Sequence, residues 1–280
     1  MFMIKSGKNK QIAVIISAVS RFEDKLKKLI LLLNMCKNFC TLTVTYNDEK
    51  LIGGMLKGIE DLYNLVIISK PWKGVHTRFD STGDIAKRMG ANVIYKDFDW
   101  ENRNIKAVSR ETEQRNFGLE YLYNKNFEYI LILDSDEYFT KKDINKIIEY
   151  VLKNEADSYI PGNAKVYWRS WKHHYQYKGG TTCIKANNKI DRKRDLDEKT
   201  KKVMMLPNDI VLHHFSYSGT KEEMKRKAET RPYMILNYKW IDNYWSNWKF
   251  GDNSFQKIIE TKDIPEEILG RYIKSINLLY

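Results

Sequence analysis

The sequence predicts an α/β fold: a mostly parallel central sheet with helices on both faces, completed by a smaller, irregular C-terminal half. Three observations predict it. Short apolar runs alternate with amphipathic helical patterns through the first half, the rhythm of strands joined by crossover helices. One run, Tyr129 to Leu133, shows no polar alternation, which is what a strand covered on both faces looks like. Past Leu152 the pattern loosens into short strands, aromatic clusters and charged loops. A chain of 280 residues, 42% of them hydrophobic, can bury a core of this size.

Taken in order, Ile12 to Val19 reads as a strand. Ser20 with Glu23 makes a capping box for a helix to Leu33, with Phe22, Leu26, Leu29 and Leu33 on one face. Leu42 to Tyr46 is a strand that breaks at Asn47-Asp48, and a helix through Leu56 and Ile59 follows. Leu65 to Ser69 is the third strand. Ser81 and Asp84 are placed to cap a short helix ending at Gly90, and Val93 to Tyr95 is the fourth strand. A helix from Arg110 to Tyr123 leads into Tyr129–Leu133. Thr140 and Asp143 then cap a helix whose Ile144, Ile147, Ile148 and Val151 fall at helical spacing. The run Ile190 to Lys202, dense in both charges, reads as mobile.

The formal net charge of +12 is spread along the chain rather than held in one block. That suits anionic partners such as nucleotides, nucleic acids or acidic lipid surfaces, and equally a lysine-rich surface that keeps the protein dissolved. Three cysteines, Cys36, Cys40 and Cys183, have no paired metal spacing, so neither a disulfide framework nor a zinc knuckle is expected. The apolar runs are too short to span a bilayer and the first ten residues lack a signal-peptide layout. The expected location is cytoplasmic, with peripheral contact on the inner face of the membrane as an addition. The aromatic stretch Tyr238 to Trp248 suits sugar stacking, a membrane interface or a packed C-terminal core.

Chemistry concentrates in "YILILDSDEYF", Tyr129 to Phe139, where an apolar strand runs into Asp134, Asp136 and Glu137. Open α/β sheets place ligands at the carboxyl ends of their strands. Asp134 and Asp136, two apart, can point toward one space, and Mn2+ or Mg2+ takes oxygen ligands of this type. Taken alone, an Asp-x-Asp more often marks a solvated turn.

Five segments, in order, resemble family 2-like glycosyltransferases of the GT-A fold. "YILILDSDEYF" looks like the Asp-x-Asp segment of that family. "TYNDEKLIGGML" (Thr45 to Leu56) resembles its first strand-to-helix loop, and "FDSTGDIAKRMGANVI" (Phe79 to Ile94) its Asp-x-Ser-Thr-Asp helix entry. "ETEQRNFGL" (Glu111 to Leu119) resembles the Arg-Asn-x-Gly helix, and "LHHFSYSGTKEEMKRK" (Leu212 to Lys227) the late His-x-Ser-Tyr segment. There are two departures. The insertion "KPWKGVHTRF" precedes Asp80, and residues 12–40 precede the "TYNDE" segment, either as an added element or as the first nucleotide strand.

The resemblance implies a metal-dependent, inverting transfer of sugar from a nucleotide-sugar donor, a UDP- or GDP-sugar, to a hydroxyl of a glycan, lipid-linked or protein acceptor. Residues 1–155 would be the nucleotide-sugar-binding half. Residues 156–280 would be the acceptor-side, metal-completing half of the same globular unit. By resemblance, Asp136 binds Mn2+ or Mg2+, Asp134 holds the metal or the ribose, and His214 completes the metal shell. Thr45, Asp48 and Asp80 lie by the nucleoside. Arg115 either meets a phosphate or pairs with Glu111 four residues earlier. Lys225 or Lys227 could reach the diphosphate. Successive residues of a strand face opposite ways, so His213 and His214 cannot both be ligands. Inversion requires a carboxylate base at the acceptor hydroxyl. Glu137, Asp157, Asp191, Asp195 and Asp197 are all open, and Glu137 and Asp191 are carried forward.

Two other classes compete. A nucleic-acid-binding protein would use the basic charge and is not expected to share five ordered segments. A nucleotidyltransferase would need a glycine-rich phosphate loop followed by a basic residue near the N-terminus, and the sequence has none.

Overall fold

The structure, a computed structural model, describes residues 38–68, 79–96, 107–192, 194–196, 202–230, 238–252 and 256–277. The expected strand Ile12–Val19, its helix to Leu33 and most of the insertion before Asp80 lie outside these residues.

Strands β1 (Phe39–Thr45), β2 (Tyr63–Ile68), β3 (Asn92–Tyr95) and β4 (Tyr129–Ile132) pair in parallel in the spatial order β3-β2-β1-β4. All four residues of β4 are buried. Tyr129, Leu131 and Leu133 join one apolar cluster, whereas Ile130 and Ile132 join the cluster on the opposite face. That two-sided burial is why the run lacks polar alternation. The first face is covered by α1 (Ile52–Gly58), α2 (Thr82–Arg88) and α4 (Lys141–Lys153), the second by α3 (Ala107–Tyr123). Gly118 lets α3 sit close: a Cβ there would lie 2.4 Å from Leu42 Cδ1 and 2.8 Å from Ile67 Cδ1.

Caps follow the sequence at α4, where Thr140 Oγ1 accepts from Asp143 N at 3.0 Å. At α2 the expected Ser81–Asp84 box does not form. Ser81 has φ −79° and ψ 7°, already near the helical basin, and an N-cap hydroxyl needs an extended backbone to fold over the first turn. Asp80, one residue earlier, accepts from Thr82 N at 2.9 Å instead.

The second half extends the same sheet. Strands β6 (Ser158–Ile160), β8 (Cys183–Lys185) and β11 (Val203–Met205) continue it beyond β4 in the order β4-β8-β6-β11. β8 runs antiparallel to both neighbours. A second sheet, β13-β7-β12-β5, combines β5 (Glu137–Tyr138), β7 (Asn163–Tyr177), β12 (Val211–Ser218) and β13 (Ile259–Glu260). Strands from both sides of residue 155 therefore share both sheets. The chain passes from the first sheet to the second between β4 and β5, and the four residues at the crossing are Leu133, Asp134, Ser135 and Asp136.

The run expected to be mobile contains an antiparallel hairpin, β9 (Ile190–Arg192) and β10 (Asp195–Leu196), with Arg194 at its turn buried. The Arg194 guanidinium points into the protein, where it meets carboxylates, and residues 193 and 197–201 of the run lie outside the described residues. The aromatic stretch packs as a core: Trp240, Trp245 and Trp248 are buried with Trp168 and Met224. This cluster rests on α5 (Lys221–Thr230), α6 (Tyr238–Trp240) and the π-turn Ile241–Trp245 that continues it. The C-terminal α7 (Glu266–Asn277) packs Ile268 and Tyr272 into the main core. No helix among the described residues is long and apolar enough to cross a membrane.

Candidate active site

The crossing loop is fixed from several directions. Asp48 Oδ2 accepts from Thr45 Oγ1 at 2.6 Å and from Ser135 Oγ at 2.7 Å, which ties the β1–α1 loop to the middle residue of Asp-x-Asp. Asp134 N donates to Glu137 Oε2 at 2.9 Å, and Phe215 N donates to the Asp136 carbonyl at 2.8 Å. The β5–β12 register sets His214 opposite Glu137 and His213 opposite Tyr138.

Cations surround the carboxylates. Asp134 Oδ1 receives Arg115 Nη2 at 3.0 Å and Arg194 Nη2 at 2.9 Å. Arg194 also grips Glu137 as a fork, with Nη1 to Oε1 at 2.9 Å and Nη2 to Oε2, the geometry in which a guanidinium binds a carboxylate most tightly. Arg115 pairs in addition with Glu111, so the ion pair foreseen for it forms. Asp136 is only 1% exposed. Its Oδ1 faces His214 Nε2 at 3.3 Å and its Oδ2 faces Lys227 Nζ at 3.1 Å. Burial pulls the His214 imidazole down, but Asp136, with Glu137 and Asp134 beyond it, raises it above its ordinary value. The guanidiniums of Arg115 and Arg194 are likewise disfavoured by burial and raised by the carboxylates they meet.

The Arg-Asn-x-Gly segment of α3 can now be read residue by residue. Arg115 holds Asp134. Asn116 clasps the hairpin, donating to the Ile190 carbonyl at 2.7 Å and accepting from Ile190 N at 2.8 Å, and so carries Arg194 into place. Gly118 permits the close contact with β1 and β2.

Of the expected site residues, Arg115, Asp134, Glu137 and His214 line one cleft of about 360 Å³, with Glu111 and Arg194. Asp136 lies buried against His214. Thr45 and Asp48 brace the loop through Ser135. Asp80 is not among the cleft residues. Its carboxylate accepts from Thr82 N and, at 3.3 Å, from Glu49 N, and its own N–H donates to Asn47 Oδ1, so it joins α2 to the β1–α1 loop. Asp157 precedes β6 beside the start of β4, at the end of the sheet away from the loop. Of Asp191 and Asp195 the structure describes only the backbone, and Asp197 lies outside the described residues.

Asp134 faces the two arginines, and Asp136 faces His214 and Lys227. They leave the strand on a turning chain, and each meets its own cations. Among the described residues no three His, Cys, Asp or Glu side chains gather closely enough to hold a metal ion. His213 turns away: its Nδ1 lies 2.7 Å from Tyr167 Oη, and burial lowers its pKa to about 3. Arg194 escaped the sequence reading, and its one local signal is the basic triplet Arg192-Lys193-Arg194 within a charged run.

No curated protein matches the chain. Among solved structures, the chain is similar to S. aureus TarS 1-349 in complex with UDP-GlcNAc at 14% identity and TM-score 0.43, covering 73% of this chain and 69% of that one. It is also similar to TarS 1-349 alone, at 14% identity and TM-score 0.41 over 85% and 81% of the two chains. The family whose profile matches is described as glycosyl transferase family 2, over residues 80–220, just over half of the chain. That span runs from the Asp80 cap through the Arg-Asn-x-Gly helix and the carboxylate loop to His214 and Thr220. With strands and helices in the GT-A arrangement and the carboxylates at their expected place, the chain is a glycosyltransferase and belongs to glycosyl transferase family 2.

Proposed function

We propose that the enzyme moves a sugar from a UDP- or GDP-sugar to a hydroxyl of a glycan, lipid-linked or protein acceptor, with inversion and with the help of a divalent cation, Mn2+ or Mg2+. The observation that carries this reading is the buried Asp136 carboxylate facing the His214 imidazole across 3.3 Å at the carboxyl end of β4. An oxygen and a neutral ring nitrogen held by backbone register are a donor set that suits Mn2+.

In this reading Asp136 and His214 hold the ion, and Asp134, taken up by two arginines, does not. When bound, the ion supplies Lewis-acid stabilisation of the departing nucleoside diphosphate. The chain's own residues do the rest. Arg115 and Arg194 hold Asp134 at the cleft. Asp48 and Thr45 hold the β1–α1 loop beside the nucleoside. Glu137 gives both oxygens to Arg194 and so serves to fix the loop, not to receive a proton from the acceptor. The base we assign is Asp191, on β9, three residues before Arg194 in the hairpin that α3 clasps.

A thermal-shift panel of UDP- and GDP-sugars with Mn2+ or with chelator tests the donor and the ion together. The expected result is a rise in Tm for one nucleotide class that requires the ion. A rise that persists in chelator overturns the ion, and no rise with either class overturns the donor. Asp191→Asn should keep the donor-induced rise and lose transfer.

A further inference from the structure

The charged cleft also has an aromatic side. Tyr177, the last residue of β7, lines it with Leu212, alongside Arg115, Asp134 and Arg194. Side chains two apart on a strand share a face, so Tyr177 continues the row that Tyr175 begins. Tyr175 is buried, with the rings of Trp168 and Tyr217 at 6.4 and 6.5 Å. Tyr177 reaches beyond that cluster: it is 57% exposed, and among the described residues its ring packs on no other ring and its hydroxyl makes no hydrogen bond. Gly179 and Gly180, next along the chain and also in the cleft lining, add no side chain there. An exposed ring is ordinary on an open surface, but one in a cleft of convergent polar groups is a contact for a ligand.

We propose that Tyr177 is the platform on which a sugar ring of the acceptor lies, which makes the acceptor a carbohydrate; this rests on the reading that places the donor nucleoside by the β1–α1 loop. None of Thr45, Asp48 and Asp80 lines this cleft, whose walls come from α3, β7, β12 and the β9–β10 hairpin. An inverting transfer needs the attacking hydroxyl opposite the departing diphosphate, so the acceptor belongs in a space apart from the nucleoside. A pyranose carries hydroxyls round its edge and C–H groups on its faces. The Tyr177 ring offers the C–H face a flat apolar surface, and the charged groups of the cleft offer hydrogen bonds to the edge. An acyl chain would gain from the ring alone and would strip water from the charges without replacing it, which is costly. The hydroxyl of Tyr177 is not needed for the contact.

The test is saturation-transfer NMR with the methyl glycosides of glucose, galactose, mannose and N-acetylglucosamine, and with mannitol as an acyclic polyol that has no ring face. The proteins are the wild type, Tyr177→Leu, Tyr177→Phe and the control Tyr123→Leu, which removes a ring of similar exposure, 53%, at the end of α3. Thermal melts check that each variant is folded. At least one glycoside should bind the wild type, with saturation strongest at its ring C–H protons, and mannitol should not. Tyr177→Leu should weaken that glycoside by about tenfold, the scale of one aromatic contact, while Tyr177→Phe retains most of the affinity and Tyr123→Leu behaves as the wild type. Equal losses in Leu and Phe would assign the contact to the hydroxyl and overturn the stacking. The thermal-shift panel of UDP- and GDP-sugars is run on the same proteins, and its rise should survive Tyr177→Leu; a rise lost with the ring puts Tyr177 on the donor and overturns the acceptor assignment. If no glycoside binds the wild type better than Tyr177→Leu, the platform is wrong while the donor reading stands on its own rise in Tm. Glycoside binding that needs Tyr177, without a rise for any nucleotide sugar, keeps the sugar platform and overturns the donor.

Discussion

Asp136 is the residue on which the site turns, because it is buried among groups that all need it charged. Asp136→Asn removes that charge with almost no change of shape, so the fold should survive while transfer falls by at least about 100-fold, the loss typical of removing a group that stabilises developing charge. Circular dichroism together with a transfer assay checks both halves, and wild-type turnover in a folded variant would sink the assignment. Arg194 acts at one remove. Its fork binds Glu137 at both oxygens and Asp134 at one, a geometry that a lysine cannot reproduce. Arg194→Lys should lower kcat about tenfold or more at similar Tm. Because Arg194 and Glu137 form one unit, adding Glu137→Gln should cost little further. A double mutant whose losses simply add would show the two to be independent.

At the scale of elements, α3 is the organiser of the site. It presents Arg115 to the loop, Asn116 to the hairpin and Gly118 to the sheet, all within one turn of a single helix. Asn116→Ala deletes two hydrogen bonds to the Ile190 backbone and should release the hairpin. Hydrogen exchange over residues 190–196 should then accelerate at least several-fold while the exchange of β1 and β4 stays as it was. Unchanged protection there would mean that other contacts hold Arg194. Gly118→Val forces two methyl groups against Leu42 and Ile67, and overpacking of this kind costs roughly 1–3 kcal/mol. A shift of the urea midpoint measures it. These contacts give physical reasons for the Arg-Asn-x-Gly segment, which the sequence offered as a resemblance only.

For the molecule as a whole, buried histidines set the response to acid. Burial lowers His174 to about 4 and His213 to about 3, and each bonds a hydroxyl, Thr261 and Tyr167 respectively. Both folded values lie below the unfolded value near 6.5, so above that pH neither group affects stability. As pH falls from about 6.5 toward 4 the unfolded chain takes up protons that the folded chain refuses, and stability drops by up to about 1.4 kcal/mol per pH unit for each histidine. Urea midpoints measured between pH 7 and pH 4 should fall less steeply for His174→Gln than for the wild type, and an identical slope would show that His174 is protonated in the fold. Taken by itself, the sequence determined the order of strands and helices from Leu42 to Val151, the carboxylates at the end of a strand buried on both faces, the alternation that separates His213 from His214, and the family. Those features are local, since hydrophobic period, capping residues and short motifs are written within a few residues of where they act. Only the tertiary structure decided which cation each carboxylate meets. Arg194 lies 57 residues from Glu137 and Lys227 lies 91 residues from Asp136, and the pairs exist because the chain crosses between two sheets at the loop while a hairpin and a helix close over it. No local pattern encodes that meeting, which is why the charged run that looked mobile carries a buried arginine, and why Asp134 meets two arginines while Asp136 meets His214 and Lys227.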